Sequence, residues 1–137
     1  MSELSVPVEV DALAELRTLR SGIPGVRGSL VVTSDGLLIT HDCPDDDGTE
    51  QTGALSSTLL ALARHAADLT ARGALLDAAV RGADGYFVVY AVGDTAVLAV
   101  IGDADLNLAM LHIKTRPVVQ RLGALTGRFA RFYGAGD

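Results

Sequence analysis

The sequence predicts one α/β (α+β) domain of three helices and five strands in the order α-β-β-α-β-β-β-α. The chain has 137 residues, of which 49% are hydrophobic, and this length suffices for one core but not for two domains of ordinary size. An Asp35-Gly36 step between two β-rich runs predicts a hairpin. We therefore expect a single domain over residues 1–137, with a core over about residues 10–125 and a flexible tail over residues 126–137.

Apolar residues recur at helical spacing in three segments, and short apolar runs between glycine-containing turns mark the strands. The predicted helices are Val10–Arg20, Ala54–Arg72 and Ala104–Leu125. The predicted strands are Val26–Thr33, Leu37–Thr40, Leu75–Arg81, Tyr86–Val92 and Ala96–Ile101. Asp103 or Asp105 is the expected N-cap of the last helix, and Pro117 is expected to kink or split it because proline removes a backbone donor.

Five acidic residues crowd the stretch from His41 to Gly53, which predicts a solvated loop. Neither the spacing of a calcium loop nor the four nitrogen or sulfur ligands of a zinc site is present there. We expect no metal site, although weak calcium binding stays open. Cys43 is the single cysteine, so an internal disulfide is excluded and a reducing cytoplasm is favoured.

The formal net charge of −6 argues against a nucleic-acid-binding protein, because phosphate binding favours a basic surface. A C-terminal group of basic and aromatic residues is the one feature that could form such a patch: Arg121, Arg128, Phe129, Arg131, Phe132 and Tyr133. We interpret it as a helix end whose arginines complement the helix dipole. No apolar run approaches the roughly 20 residues of a membrane span, and the N-terminus lacks an export leader, so we expect a cytoplasmic protein.

The central helix carries two neighbouring stripes of apolar or small residues. The stripe predicted to pack on the sheet consists of Leu55, Leu59, Leu62, Ala66 and Leu69. The stripe predicted to receive a second helix consists of Ser56, Leu60, Ala63, Ala67 and Ala71. One protomer of this size has few elements to cover both sides, so we expect a homodimer. The alternative is an alanine-rich surface helix that needs no partner.

The third strand fits the same interpretation, because an edge strand is either protected or paired. Antiparallel pairing with a second copy would bring Asp77 and Arg81 close to their symmetry mates, where opposite charges set the register. The residues predicted at the dimer contact are Leu60, Ala63, Ala67, Asp77, Ala79 and Arg81. The residues predicted to face another partner are Arg64, His65, Asp68 and Arg72.

Three segments together resemble the roadblock/LC7 family in the form common in actinobacteria: Ile23–Leu38 (IPGVRGSLVVTSDGLL), Gly85–Val89 (GYFVV) and Leu98–Leu106 (LAVIGDADL). The resemblance implies a profilin-like architecture, in which a five-stranded antiparallel sheet lies between one long helix and the two terminal helices. It also implies a homodimer through the third strand and central helix. Finally, it implies a non-enzymatic platform or regulator of a small Ras-like GTPase, without a cofactor.

The sequence contains neither of two common motifs of nucleotide-binding proteins and hydrolases. It contains neither a phosphate-binding Gly-x-x-x-x-Gly-Lys-Ser/Thr loop nor a Gly-x-Ser-x-Gly nucleophile elbow, and His65 and His112 lie on separate predicted helices. We therefore expect no enzyme. Two alternatives to the GTPase regulator stay open: a PAS- or GAF-like domain that senses a small molecule, and a structural dimerisation module without a GTPase partner.

Overall fold

The chain folds into the predicted three helices and five strands. The structure, a computed structural model, describes the backbone of residues 5–45 and 48–133 and the side chains of residues 8–45 and 48–127. The helices are α1 (Ser5–Gly22), α2 (Thr49–Leu69) and α3 (Leu108–Tyr133). The strands are β1 (Val26–Thr33), β2 (Leu38–Asp42), β3 (Asp77–Gly82), β4 (Gly85–Val92) and β5 (Ala96–Asp103).

The strands form one antiparallel sheet in the order β2-β1-β5-β4-β3. The predicted Asp35-Gly36 turn joins β1 to β2, and the backbone N–H of Thr33 donates to the carbonyl of Leu37 across it at 2.9 Å. Strand β5 lies between β1 and β4, which explains why its residues are apolar on both faces. Strand β3 forms one edge of the sheet.

Helices cover both faces of the sheet, and each face has its own core. On one face α1 and α3 enclose the larger cluster, which includes Leu16, Leu98, Val100, Leu111 and Leu122. On the other face α2 covers a smaller cluster of Leu30, Val32, Leu60, Val89, Val97 and Ala99. The alternation of side chains along each strand divides the buried residues between these two cores.

The acidic segment between β2 and α2 is shorter than predicted. Strand β2 continues through Asp42, and α2 begins at Thr49 rather than at Ala54. The carboxylate of Asp42 is nearly buried and lies 2.9 Å from the Arg20 guanidinium of α1. The prediction of a solvated loop from His41 to Gly53 is therefore wrong at both ends, because one acidic residue pairs within the fold and Glu50 lies in the first turn of α2.

Helix α3 differs from its prediction at both ends. Asn107 is its N-cap, since the Asn107 side-chain oxygen accepts the backbone N–H of Met110 at 3.0 Å. Asp103 instead ends β5 and pairs with Arg27 at 3.1 Å. At the other end α3 continues to Tyr133, eight residues beyond the predicted Leu125.

Pro117 does not split α3. Helix α3 continues through Pro117. Proline has no backbone N–H to donate to the carbonyl of Ile113, one turn earlier. Both Pro117 and Ile113 lie on the exposed side of the helix. Water can bond to a carbonyl on that side, which makes an interior proline tolerable. One turn later Arg121 anchors α3 to α1 by an ion pair with Glu15 at 2.8 Å. The side chains of the other predicted C-terminal patch residues, Arg128 to Tyr133, lie outside the described residues.

Candidate self-association and partner-binding surface

The two stripes of α2 have the opposite roles to those predicted. The inner stripe, defined as Gly53, Ser56, Leu60, Ala63 and Ala67, faces the sheet and is buried or half-buried. Small residues allow the helix to lie close to the strands. A Cβ added to Gly53 would approach Cγ1 of Val32 to 2.8 Å, closer than such atoms pack. The small residues expected to receive a second helix therefore receive the protomer's own sheet.

The stripe predicted to pack on the sheet faces outward. We define the outer stripe as Leu55, Leu62, Ala66 and Leu69, whose leucines are 60%, 64% and 74% exposed. Leu59, from the same predicted set, is half-buried against the smaller core. Leucines at this spacing form a continuous apolar strip along the helix. An exposed apolar strip of this kind is typical of an interaction surface.

Strand β3 packs against the core beneath α2 on one face and has one open edge. Only β4 pairs with β3 among the described residues, so the other edge of β3 has unpaired backbone groups. Ala78 packs against the core beneath α2, and alternation places Val80, which is 47% exposed, on that same face. Asp77, Ala79 and Arg81 occupy the α3 face of the strand. An open edge beside an apolar helix face is suited to pairing with another chain.

The predicted dimer residues fall into two groups. Leu60 is 1% exposed and packs beneath α2, so its placement at a dimer contact is wrong. It cannot reach another chain unless α2 leaves the sheet. Ala63 and Ala67 are half-buried under the same helix. By contrast, Asp77 is half-buried on β3, and Ala79 and Arg81 are exposed at its edge; the role of these three at a dimer contact stays a prediction.

The predicted partner-facing residues of α2 are not equally available. Arg64 is half-buried, and its guanidinium donates to the carbonyl of Gly93 at 3.1 Å, which fixes the helix to the β4–β5 turn. His65 and Asp68 are exposed. Arg72 is also exposed, although its Nε donates to the carbonyl of Thr70 at 2.9 Å. These contacts leave His65 and Asp68 as the polar residues of this set that are most accessible to a partner.

A polar cluster on the α3 face was not predicted from the sequence. The hydroxyl of Tyr90 lies 2.8 Å from Nδ1 of His112, and the same nitrogen lies 3.9 Å from a carboxylate oxygen of Asp77. Burial raises the pKa of Tyr90 above its usual value, so its hydroxyl keeps its proton. The cluster joins residues 13 and 22 positions apart in the sequence, which only the sheet register brings together.

Within the described residues there is no group of three or more His, Cys, Asp or Glu side chains that could hold a metal ion. None of the helices described in the structure has the length and apolar character required to cross a membrane.

Comparison with known proteins places this fold in a family. A model of the Roadblock/LC7 domain matches residues 13–102, which is more than half of the chain. The chain belongs to the Roadblock/LC7 family. Among curated proteins it is 29% identical over 101 residues to the uncharacterized protein MJ1340 of Methanocaldococcus jannaschii. That match covers 74% of this chain and 88% of the relative.

Solved structures of Roadblock/LC7 proteins share the architecture. A Roadblock/LC7 domain from Streptomyces avermitilis superimposes with a TM-score of 0.75 at 22% identity, covering 80% of this chain and 92% of that one. MglB from Myxococcus xanthus gives a TM-score of 0.77 at 18% identity, with coverage of 86% and 96%. A structure described as MglB with a tetrameric arrangement gives 0.79 at 15% identity, with coverage of 88% and 91%. At these identities the likeness establishes the fold, and it confirms the predicted antiparallel sheet between helices.

Proposed function

We propose that this Roadblock/LC7 protein is a non-enzymatic homodimer that binds and regulates a small Ras-like GTPase. The observation that carries the first half of the proposal is the outer stripe of α2 beside the open edge of β3. Leu55, Leu62 and Leu69 are each at least 60% exposed. Burying such leucines against a second copy is favourable by about 25 cal/mol for each Å² removed from water.

Charge and geometry together select one register for the β3 pair. A two-fold axis perpendicular to the sheet keeps each residue on its own face and lies midway between the two β3 strands, so one residue of β3 must lie opposite its own symmetry mate. An axis at Asp77 or at Arg81 would place like charges opposite each other. An axis at Ala79 places Asp77 opposite Arg81 of the second copy, twice. Opposite charges directly across an antiparallel pair are stabilising, whereas like charges are destabilising.

The GTPase half of the proposal is supported by family membership. The resemblance of this chain to the Roadblock/LC7 family implies a platform or regulator of a small Ras-like GTPase. Several of the solved structures that share this fold are MglB proteins. In the proposed dimer two copies of α2 lie on one face of a continuous sheet, with His65 and Asp68 exposed beside them. Binding there would favour one switch conformation of the partner, since a ligand shifts an equilibrium toward the state that it binds better.

Sedimentation equilibrium of the purified chain tests the homodimer and its register. We expect a mass of twice 14.2 kDa at micromolar concentration. Asp77→Arg and Arg81→Asp should each weaken association by placing like charges opposite each other, and the double variant should restore it. A monomer at micromolar concentration would refute the homodimer. Single variants that associate like the wild type, or a double variant that is no better than either, would refute the register.

Binding of purified Ras-like GTPases from the same genome, loaded with GDP or with a non-hydrolysable GTP analogue, tests the regulator. We expect one of them to bind the dimer with a preference for one nucleotide state. Asp68→Arg should weaken this binding without changing the dimer mass, while Asp11→Arg on exposed α1 serves as the matched control. A stable dimer to which no GTPase binds would favour the structural dimerisation module instead.

A further inference from the structure

A cavity on the α3 face shares one residue, Asp77, with the surface used by the proposed function. The α3 cavity has a volume of about 310 Å³ and lies between the start of β3, strand β4 and the middle of α3. Its apolar walls include Leu75 and Val119, both half-buried. Its polar groups include Asp77, His112 and Arg116. Apolar walls with a few converging polar groups are the usual composition of a small-molecule site.

Arg116 is the cationic group in the lining of this cavity, and its side chain is exposed. Arg20, Arg27 and Arg121 each have a carboxylate within 3.1 Å. Within the described part of the chain, Arg116 forms neither an ion pair nor a side-chain hydrogen bond, although it lines the same cavity as Asp77. A guanidinium offers paired donors that match the two oxygens of a carboxylate. Gln120, one helical turn further along α3, adds an amide donor to the same wall.

His112 also lines the cavity, and its Nδ1 lies at hydrogen-bond distance, 2.8 Å, from the hydroxyl of Tyr90. Asp77 has the opposite effect to Arg116 on the binding of an anion. Its carboxylate lies 3.9 Å from Nδ1 of His112, and its negative charge would weaken the binding of an anion.

We propose that the α3 cavity binds a small carboxylate with an apolar body, held by Arg116 and Gln120 at the carboxylate and by Leu75 and Val119 along the chain. The volume is at the lower end of the range for ligand sites, about 300–1,000 Å³, which suits a ligand of about ten nonhydrogen atoms. Ligands of that size gain limited affinity, so we expect a dissociation constant on the order of 1 mM. The site uses no residue of the outer stripe, and Asp77 is the residue that it shares with the proposed β3 pair.

Titration with hexanoate, followed by NMR of the uniformly labelled full chain, tests the proposal. Hexanol and hexylamine have the same carbon chain and serve as matched probes. We expect hexanoate to shift the signals of Leu75, His112 and residues 116–120, and to bind at least about tenfold more tightly than either control, because only a carboxylate makes the charge-assisted pair.

Three variants separate the site from a general effect of charge. Arg116→Gln should weaken hexanoate binding at least about tenfold, whereas Arg17→Gln on exposed α1 should leave it unchanged. Asp77→Asn should tighten it by removing a like charge. The proposal is overturned if hexanoate causes no localised shifts at about 10 mM, if hexanol or hexylamine binds as well, or if the Arg116 and Arg17 variants behave alike.

Discussion

Leu60 and Leu62 lie two positions apart on α2 and distinguish packing from association. Leu60 is 1% exposed and contacts the smaller core, whereas Leu62 is 64% exposed on the outer stripe. Truncation to alanine removes the same atoms at both positions. Leu60→Ala should lower the free energy of unfolding by about 2–5 kcal/mol, because it removes buried contacts and leaves a cavity. Leu62→Ala should change the intrinsic stability of the protomer by no more than about 0.5 kcal/mol.

The effect of Leu62→Ala on association follows from its exposure. Burying a whole leucine side chain is worth about 1.5–3 kcal/mol, so burying the 64% that is exposed corresponds to about 1–2 kcal/mol. A two-fold dimer contains this residue twice. We therefore expect Leu62→Ala to weaken dimerisation by about 2–4 kcal/mol, which raises the dissociation constant about 30- to 900-fold.

Two measurements on the same samples check both values. Sedimentation equilibrium over a concentration series gives the dimer dissociation constant. Urea denaturation, followed by circular dichroism and fitted to a folded dimer in equilibrium with two unfolded chains, separates protomer stability from association, since unfolding of a dimer depends on concentration. The orientation of α2 would be refuted if Leu60→Ala left the stability unchanged while Leu62→Ala lowered it. An unchanged dissociation constant in Leu62→Ala would remove the outer stripe from the interface.

Three further predictions concern single features of the fold. Asn107→Ala should lower the free energy of unfolding by about 1 kcal/mol, because the Met110 N–H loses its cap acceptor; thermal denaturation measures the loss, and Asn107→Asp, which keeps an acceptor, should retain stability. Gly85→Ala should cost about 2 kcal/mol or more in the same assay, because Gly85 has a φ of 152° and a Cβ there would collide with the carbonyl oxygen of Gly102; wild-type stability would contradict this. Tyr90 should resist ionisation in an ultraviolet absorbance titration compared with Tyr90→Phe, because burial raises its pKa in the folded state. Its contribution to stability is therefore complete below the pKa of an unfolded tyrosine, about 10, and is lost as the pH rises further; ionisation of Tyr90 near pH 10 would contradict this.

The bounds of β1 and α3 show which ends of elements can be predicted from neighbouring residues. Strand β1 coincides with its prediction over Val26–Thr33, because a β-rich run that ends at the Asp35-Gly36 turn is readable from the sequence. The start of α3 was predicted at the wrong cap. Asp103, Asp105 and Asn107 are all good N-cap residues, and the choice depends on where β5 stops. Pairing of Asp103 with Gly85 and Arg27 keeps Asp103 in the sheet, so the helix begins after Asn107.

The cluster beneath α3 lay beyond sequence analysis for a different reason. Asp77, Tyr90 and His112 belong to three elements, and no local pattern connects them. The sheet register places Asp77 opposite Tyr90, and the packing of α3 adds His112. Arg116 follows one turn later on the same helix face. A candidate site assembled in this way becomes visible only when the strands are paired.

The sequence by itself determined the order of elements, the family and the presence of two apolar stripes on α2, because each depends on residues close together in the chain or on the order of motifs. It did not determine which stripe faces inward. Both have helical spacing, and leucines are the more apolar choice. Tertiary structure decided in favour of the small residues, because Gly53 must lie against Val32 and a bulkier face could not approach the strands so closely. The leucines of the outer stripe were thereby left facing water.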